Sequence, residues 1–127
     1  MAAYTKSRTS IWSAQSLTAG AGNTTSSWVD LSTTLGSVID ISLTNGATGP
    51  TVPAQVQVQV ANNYNAGSPT LITNFGGANV GSTTNSDVTY FSIVIPDPVA
   101  AVRLVAGSNT GQAVTVNADI SSITAIS

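Results

Sequence analysis

Apolar and polar residues alternate with a period of two along much of this chain, and the spacing of a helix recurs nowhere in it. In "AQVQVQVAN", residues 54–62, Val56, Val58 and Val60 point one way and Gln55, Gln57 and Gln59 the other. Ile39, Ile41 and Leu43 likewise oppose Val38, Asp40 and Ser42, and Val102, Leu104 and Ala106 oppose Ala101, Arg103 and Val105. Val114, Val116, Ala118 and Ile120 oppose Ala113, Thr115, Asn117 and Asp119. The pattern predicts strands near 10–18, 27–31, 37–44, 54–61, 70–75, 88–95, 100–106 and 113–120, with a short extension to 126. Clusters of Gly, Asn, Ser and Pro separate them. "TNGATGP" carries an Asn-Gly turn, and "GSNTGQ" at 107–112 reads as a hairpin loop between "AVRLVA" and "AVTVNADI". About eight short strands with one apolar face each predict an all-β fold: an antiparallel two-sheet sandwich, with a jelly roll as the natural version.

Two stretches depart from clean alternation. Near the end the apolar phase slips to Ile120, Ile123 and Ile126, which predicts a bulge or a bend. In "DVTYFSIVI", Phe91, Ile93 and Ile95 form one apolar face, yet Val88, Tyr90 and Val94 line the other. A strand apolar on both sides needs cover, either from the long segment 73–87 or from another chain. The glutamine row poses a related question, because an outward strand face usually carries charge.

Charge is scarce throughout. Charged residues make up 6% of the 127, against about 25% in an average domain, and the length suits one domain. That domain is expected over 11–127, behind an N-terminal arm at 1–10. A net charge of −2 with three cations cannot neutralise a run of phosphates, which argues against a nucleic-acid partner. There is no basic face for a membrane surface and no apolar run of about 20 residues to span one. "MAAYTKSRTS" has no hydrophobic signal core, so synthesis in a cytoplasm is expected. The absence of His, Cys and Glu removes the usual triads, thiolate chemistry and most metal sites. Accordingly no catalytic, metal or cofactor residues are assigned, and enzyme activity is not expected.

The few special residues have modest readings. Asp87 and Asp97 suit turns, and Asp40 or Asp119 is expected to pair with Arg103. Trp12 and Trp28 are expected as core anchors. Tyr64 and Phe75, aromatics among Asn and Ser on loops, either stack on a glycan or fold back over the end of the sandwich. Tyr4, Lys6 and Arg8 hold two of the three cations in the arm, which either frays or docks on a neighbour.

The stretches "SAQSLTAGAGNTTSSWVDLS", "GSVIDISLTNGATGPTVPAQVQVQVAN" and "YFSIVIPDPVAAVRLVAGSNTGQAVTVNADIS" together resemble small virion structural proteins of tailed bacteriophages, of the capsid decoration, or cement, type. The resemblance covers most of 10–125 and lies in architecture and sequence flavour, with no diagnostic motif. It implies a sandwich subunit that forms a homodimer or homotrimer on the outer surface of the capsid, bound to the major capsid protein, where it stabilises the shell. The residues expected in subunit contact are Tyr90 and Val94, then Gln55, Gln57 and Gln59; those expected to touch the capsid are Tyr4, Lys6 and Arg8. Two other readings stand beside it: a glycan-binding module of a head or tail fibre using Tyr64 and Phe75, and a tail or connector subunit.

Overall fold

A strand with one β-branched row must bury that row, and in this chain two sheets do so against each other. The computed structural model describes residues 3–126. Ten strands follow one another: β1 (Tyr4–Leu17), β2 (Thr24–Thr25), β3 (Val29–Asp30), β4 (Ser37–Asn45), β5 (Gln55–Ala61), β6 (Thr73–Asn74), β7 (Asn79–Val80), β8 (Val88–Ile95), β9 (Ala101–Gly107) and β10 (Val114–Ile126). One sheet has the order β1-β10-β4-β8. In the other, β9 and β5 lie side by side, β2 and β3 pair along the outside of β9, and β6 and β7 along the outside of β5. All pairings are antiparallel.

Taken as single interrupted strands, β2 with β3 and β6 with β7 reduce the count to the expected eight. Every connection but the one from β5 to β6 then crosses between sheets, and the two sheet orders are those of a jelly roll. The buried rows meet in one core: Ile39, Ile41, Leu43, Val114, Val116 and Ile120 from the first sheet, Val56, Val58, Val102 and Leu104 from the second. Each such side chain contributes roughly 1.5–3 kcal/mol relative to exposure.

This topology corrects the hairpin expected at 107–112. β9 belongs to one sheet and β10 to the other, so the segment is a corner. Both strands carry a buried row, and the rows bury each other across the sandwich instead of side by side. Asn109 fastens the corner: it is 2% exposed, and its Nδ2 donates to the carbonyls of Leu17 and Gln112 at 2.9 and 3.0 Å. Gly107 has φ 150°, and a Cβ there would meet the Gly22 carbonyl oxygen at 2.6 Å. The corner after β4 uses Asn45 in the same way, its Nδ2 donating to the carbonyls of Ser82 and Thr84 at 2.9 and 2.8 Å.

β1 starts well before residue 10. Tyr4 to Ser10, read from the sequence as an arm, pair with Ile126 to Asp119 of β10. Past Ser122 β10 has no further β4 partner beyond the backbone bonds that Ile123 makes with Leu35 and Gly36, and Tyr4–Lys6 and Ile123–Ile126 continue as a two-stranded ribbon. The phase slip is a bulge: Thr5 faces Ala125 and Lys6 faces Ile123, which leaves Thr124 over. A second irregularity lies between Trp12 and Gln15, where Ala14 takes φ 49° and its amide donates to Asn117 Oδ1 at 2.7 Å.

Candidate interaction surface

The outer face of the four-stranded sheet gathers most of the residues singled out from the sequence. Register sets them in rows across the strands. One row runs Arg8, Ser121, Val38, Val94; the next runs Ser10, Asp119, Asp40, Ser92. A third holds Asn117, Ser42 and Tyr90, and a fourth holds Ser16, Thr115, Thr44 and Val88. On the ribbon, Lys6 stands opposite Ile123 and Tyr4 opposite Ile126. The expected subunit contacts Tyr90 and Val94 therefore share a face with the expected capsid contacts Lys6 and Arg8.

The second row puts Asp119 and Asp40 directly opposite each other, an unfavourable pairing of like charges. Arg8 offsets it. Its guanidinium donates to Asp119 Oδ2 at 2.8 Å, and Ser92 Oγ donates to Asp40 Oδ1 at 3.0 Å. The hydrogen bond and charge of Asp119, with a smaller contribution from Asp40, raise the Arg8 pKa above its ordinary value. The pairing expected for Arg103 thus belongs to Arg8. Arg103 lies on the opposite face, stacked 4.5 Å from the ring centroid of Trp28 and donating through Nε to Gln59 Oε1 at 2.8 Å. Trp28 is accordingly half-buried beneath a cation, while Trp12 is in the core.

Around the charged row the face is apolar or hydroxylic. Tyr90 is 77% and Val94 68% exposed, and Tyr4, Ile126 and Val38 extend the apolar surface. Two open grooves mark it. One of ≈ 480 Å³ is lined by Lys6, Val38, Val94, Pro96, Ser121 and Ile123 among others, and one of ≈ 450 Å³ by Arg8, Asp40, Tyr90, Ser92, Asn117 and Asp119 among others. Among the described residues no group of three or more metal-ligating side chains occurs, and no helix is long and apolar enough to cross a membrane.

Segment 73–87 does not cover β8. Its strands β6 and β7 run along β5, and its end engages Asn45. It closes the other sheet beside the glutamine row instead: Gln57 Nε2 donates to the Gly76 carbonyl at 3.1 Å, and Gln59 Nε2 to Asn74 Oδ1 at 3.3 Å. Phe75 packs against the core, and Tyr64 sits half-buried at a short 3₁₀ turn over Asn65–Gly67. The bulge expected from the phase slip turns Ile123 and Ile126 toward the outer face of the four-stranded sheet, Ile123 half-buried and Ile126 55% exposed. Leu71, 84% exposed with φ 53°, lies where the sequence predicts a strand, and nothing in the alternation marks it as a surface residue.

No protein-family model matches the sequence, and no curated protein matches it. Among solved structures, the chain is similar to infectious bursal disease virus, Gt strain, with a TM-score of 0.60 and 11% identity over 95% of this chain and 33% of the other. It is similar to the VP2 subviral particle of the same virus, with a TM-score of 0.58 and 11% identity over 95% and 33%. The SPBc2 prophage-derived protein YomS gives a TM-score of 0.51 and 14% identity over 94% of this chain and 95% of that one. The chain thus spans about a third of the virus proteins and nearly the whole of YomS. At these identities the likeness is one of fold.

Proposed function

We propose that this chain is a non-enzymatic virion structural protein of a tailed bacteriophage, a capsid decoration protein that binds the outside of the head as a homo-oligomer and stabilises the shell. The observation that carries the reading is the outer face of the four-stranded sheet. It is a broad surface with open grooves, on which exposed and half-buried apolar and hydroxyl-bearing residues such as Val38, Val94, Tyr90, Ser42 and Thr44 flank a compact group of Arg8, Asp119 and Asp40, so that an uncharged contact area lies beside a charged one. The fold shared with a VP2 subviral particle and a prophage-derived protein supports the same reading. In it, Tyr4, Lys6 and Arg8 touch the major capsid protein, Tyr90 and Val94 join subunits, and Gln55, Gln57 and Gln59 offer a second contact on the far sheet. The protein is made in the host cytoplasm and ends on the virion surface.

The test is co-sedimentation of the purified chain with expanded and unexpanded capsids of the phage that encodes it, both prepared without it. Saturable binding to expanded shells, weakened in the Lys6→Ser/Arg8→Ser double variant, is the expected result. Binding to neither shell would sink the decoration reading. Quenching of intrinsic fluorescence by free sugars, abolished in Tyr64→Ala, would move the assignment to a glycan-binding module.

A further inference from the structure

The sandwich ends in four strand edges, and three of them are guarded. The second sheet stops on the two-residue strands β2, β3, β6 and β7, too short to template pairing. The β1 edge is broken by three register shifts and carries Lys6 and Arg8. The β8 edge has none of these defences. Its eight residues keep unbroken register with β4 from Val88 to Ile95, and they include no charge and no proline.

Its free backbone can be placed. The Asn45 amide donates to the Asp87 carbonyl at 2.9 Å, and the Ile123 amide to the Gly36 carbonyl at 3.0 Å. In an antiparallel ladder the hydrogen-bonding direction alternates, so odd positions of β8 turn to β4 and even ones turn away. Val88, Tyr90, Ser92 and Val94 thus present N–H and C=O at the open edge, and no other described segment bonds to them.

We propose that two copies of this chain pair antiparallel through β8 about a two-fold axis at Phe91, joining their sheets into one of eight strands. The inference takes up the homo-oligomer proposed above and names its contact. A second copy fits because the strand is self-complementary about Phe91. Val88 meets Val94, Thr89 meets Ile93, and Tyr90 meets Ser92, so β-branched residues face each other at four of the seven sites and no like charges meet. This register uses all four outward-facing residues; a shift by one residue either way loses at least one. It leaves the outer faces continuous, with Tyr4, Lys6 and Arg8 at both far ends, free for a shell.

The experiment is sedimentation equilibrium of the full chain and of Val94→Lys and Val94→Thr, with shell co-sedimentation on the same samples. Wild type and Val94→Thr are expected at twice the chain mass of 12.7 kDa, and Val94→Lys at that mass. The chain has no cysteine, so a single Phe91→Cys reports register: paired residues at the axis lie about 4.5 Å apart and oxidise to a disulfide dimer. Thr89→Cys, offset by four residues from its own copy, is expected to stay unlinked. Should Phe91→Cys not fold, the exposed position 94 decides alone. A monomeric or trimeric wild type overturns the proposal, as does a dimer indifferent to Val94→Lys or a folded Phe91→Cys that forms no disulfide. A monomer that still binds shells, and loses them with Val94→Lys, also overturns it and gives the edge to the shell protein. A dimer that binds no shell upholds the pairing while the decoration reading fails.

Discussion

Asn109 ties the end of β1 to the corner that carries β9 into β10, with one buried amide serving two carbonyls. Asn109→Ala leaves both acceptors without that donor, and a buried polar group left unpaired costs about 1–3 kcal/mol. The expected outcome is a lower urea midpoint at unchanged slope, which urea denaturation followed by tryptophan fluorescence would show. Asp30 gives a pH-dependent case. Hydrogen bonds from the side chain and then the backbone of Ser32 hold its carboxyl below the ordinary value of 3.8. A depressed carboxylate contributes stability that is full above its unfolded pKa and is lost as pH falls through the folded one. The melting temperature of Asp30→Asn should therefore lie below wild type at neutral pH, and the gap should close as the pH drops below 3.8. Neither role is visible in a string of letters. "GSNTGQ" looks like any polar turn, and only the crossing of the sheets makes one of its residues a core residue.

At the scale of elements, legibility follows the contrast between a strand's two faces. β4, β5, β9 and most of β10 were readable because a buried apolar row alternates with a polar one. The first half of β1, "YTKSRTS", has no apolar row, since its partner β10 gives it hydrogen bonds but little core. Its strand character comes from pairing alone, which a hydrophobic pattern cannot report. The same absence of contrast hid β2 and β7, two residues each. The exposed side of β8 was legible for the opposite reason: Tyr90 and Val94 were apolar where polarity was due. Which edge they occupied, and that Lys6 and Arg8 shared their face, depended on strand order. A consequence is that removing residues 1–10 does more than delete a contact. It bares the edge of β10 from Asp119 to Ile126, so hydrogen exchange should show lost amide protection there and the truncated chain should self-associate. Unchanged protection across those residues would mean that β1 does not hold them.

For the whole molecule the low charge content decides how surroundings act on it. Among the described residues the ion pair is Arg8 with Asp119, with side chains 62% and 38% exposed, and such pairs fade as salt rises. Most of the rest of the fold rests on buried methyl groups and neutral hydrogen bonds, which ionic screening barely touches. Sodium chloride raised from millimolar to molar should leave the urea midpoint nearly flat. Sulfate should raise it, because excluded salts strengthen apolar burial. The two salts together separate the two ways in which the outer face can hold a shell. If attachment depends on Val38, Val94, Tyr90 and their neighbours, chloride does little and sulfate helps. If it depends on Lys6 and Arg8 as point charges, affinity falls steeply with chloride, and the apolar rows of the sheet are then left for the pairing of subunits.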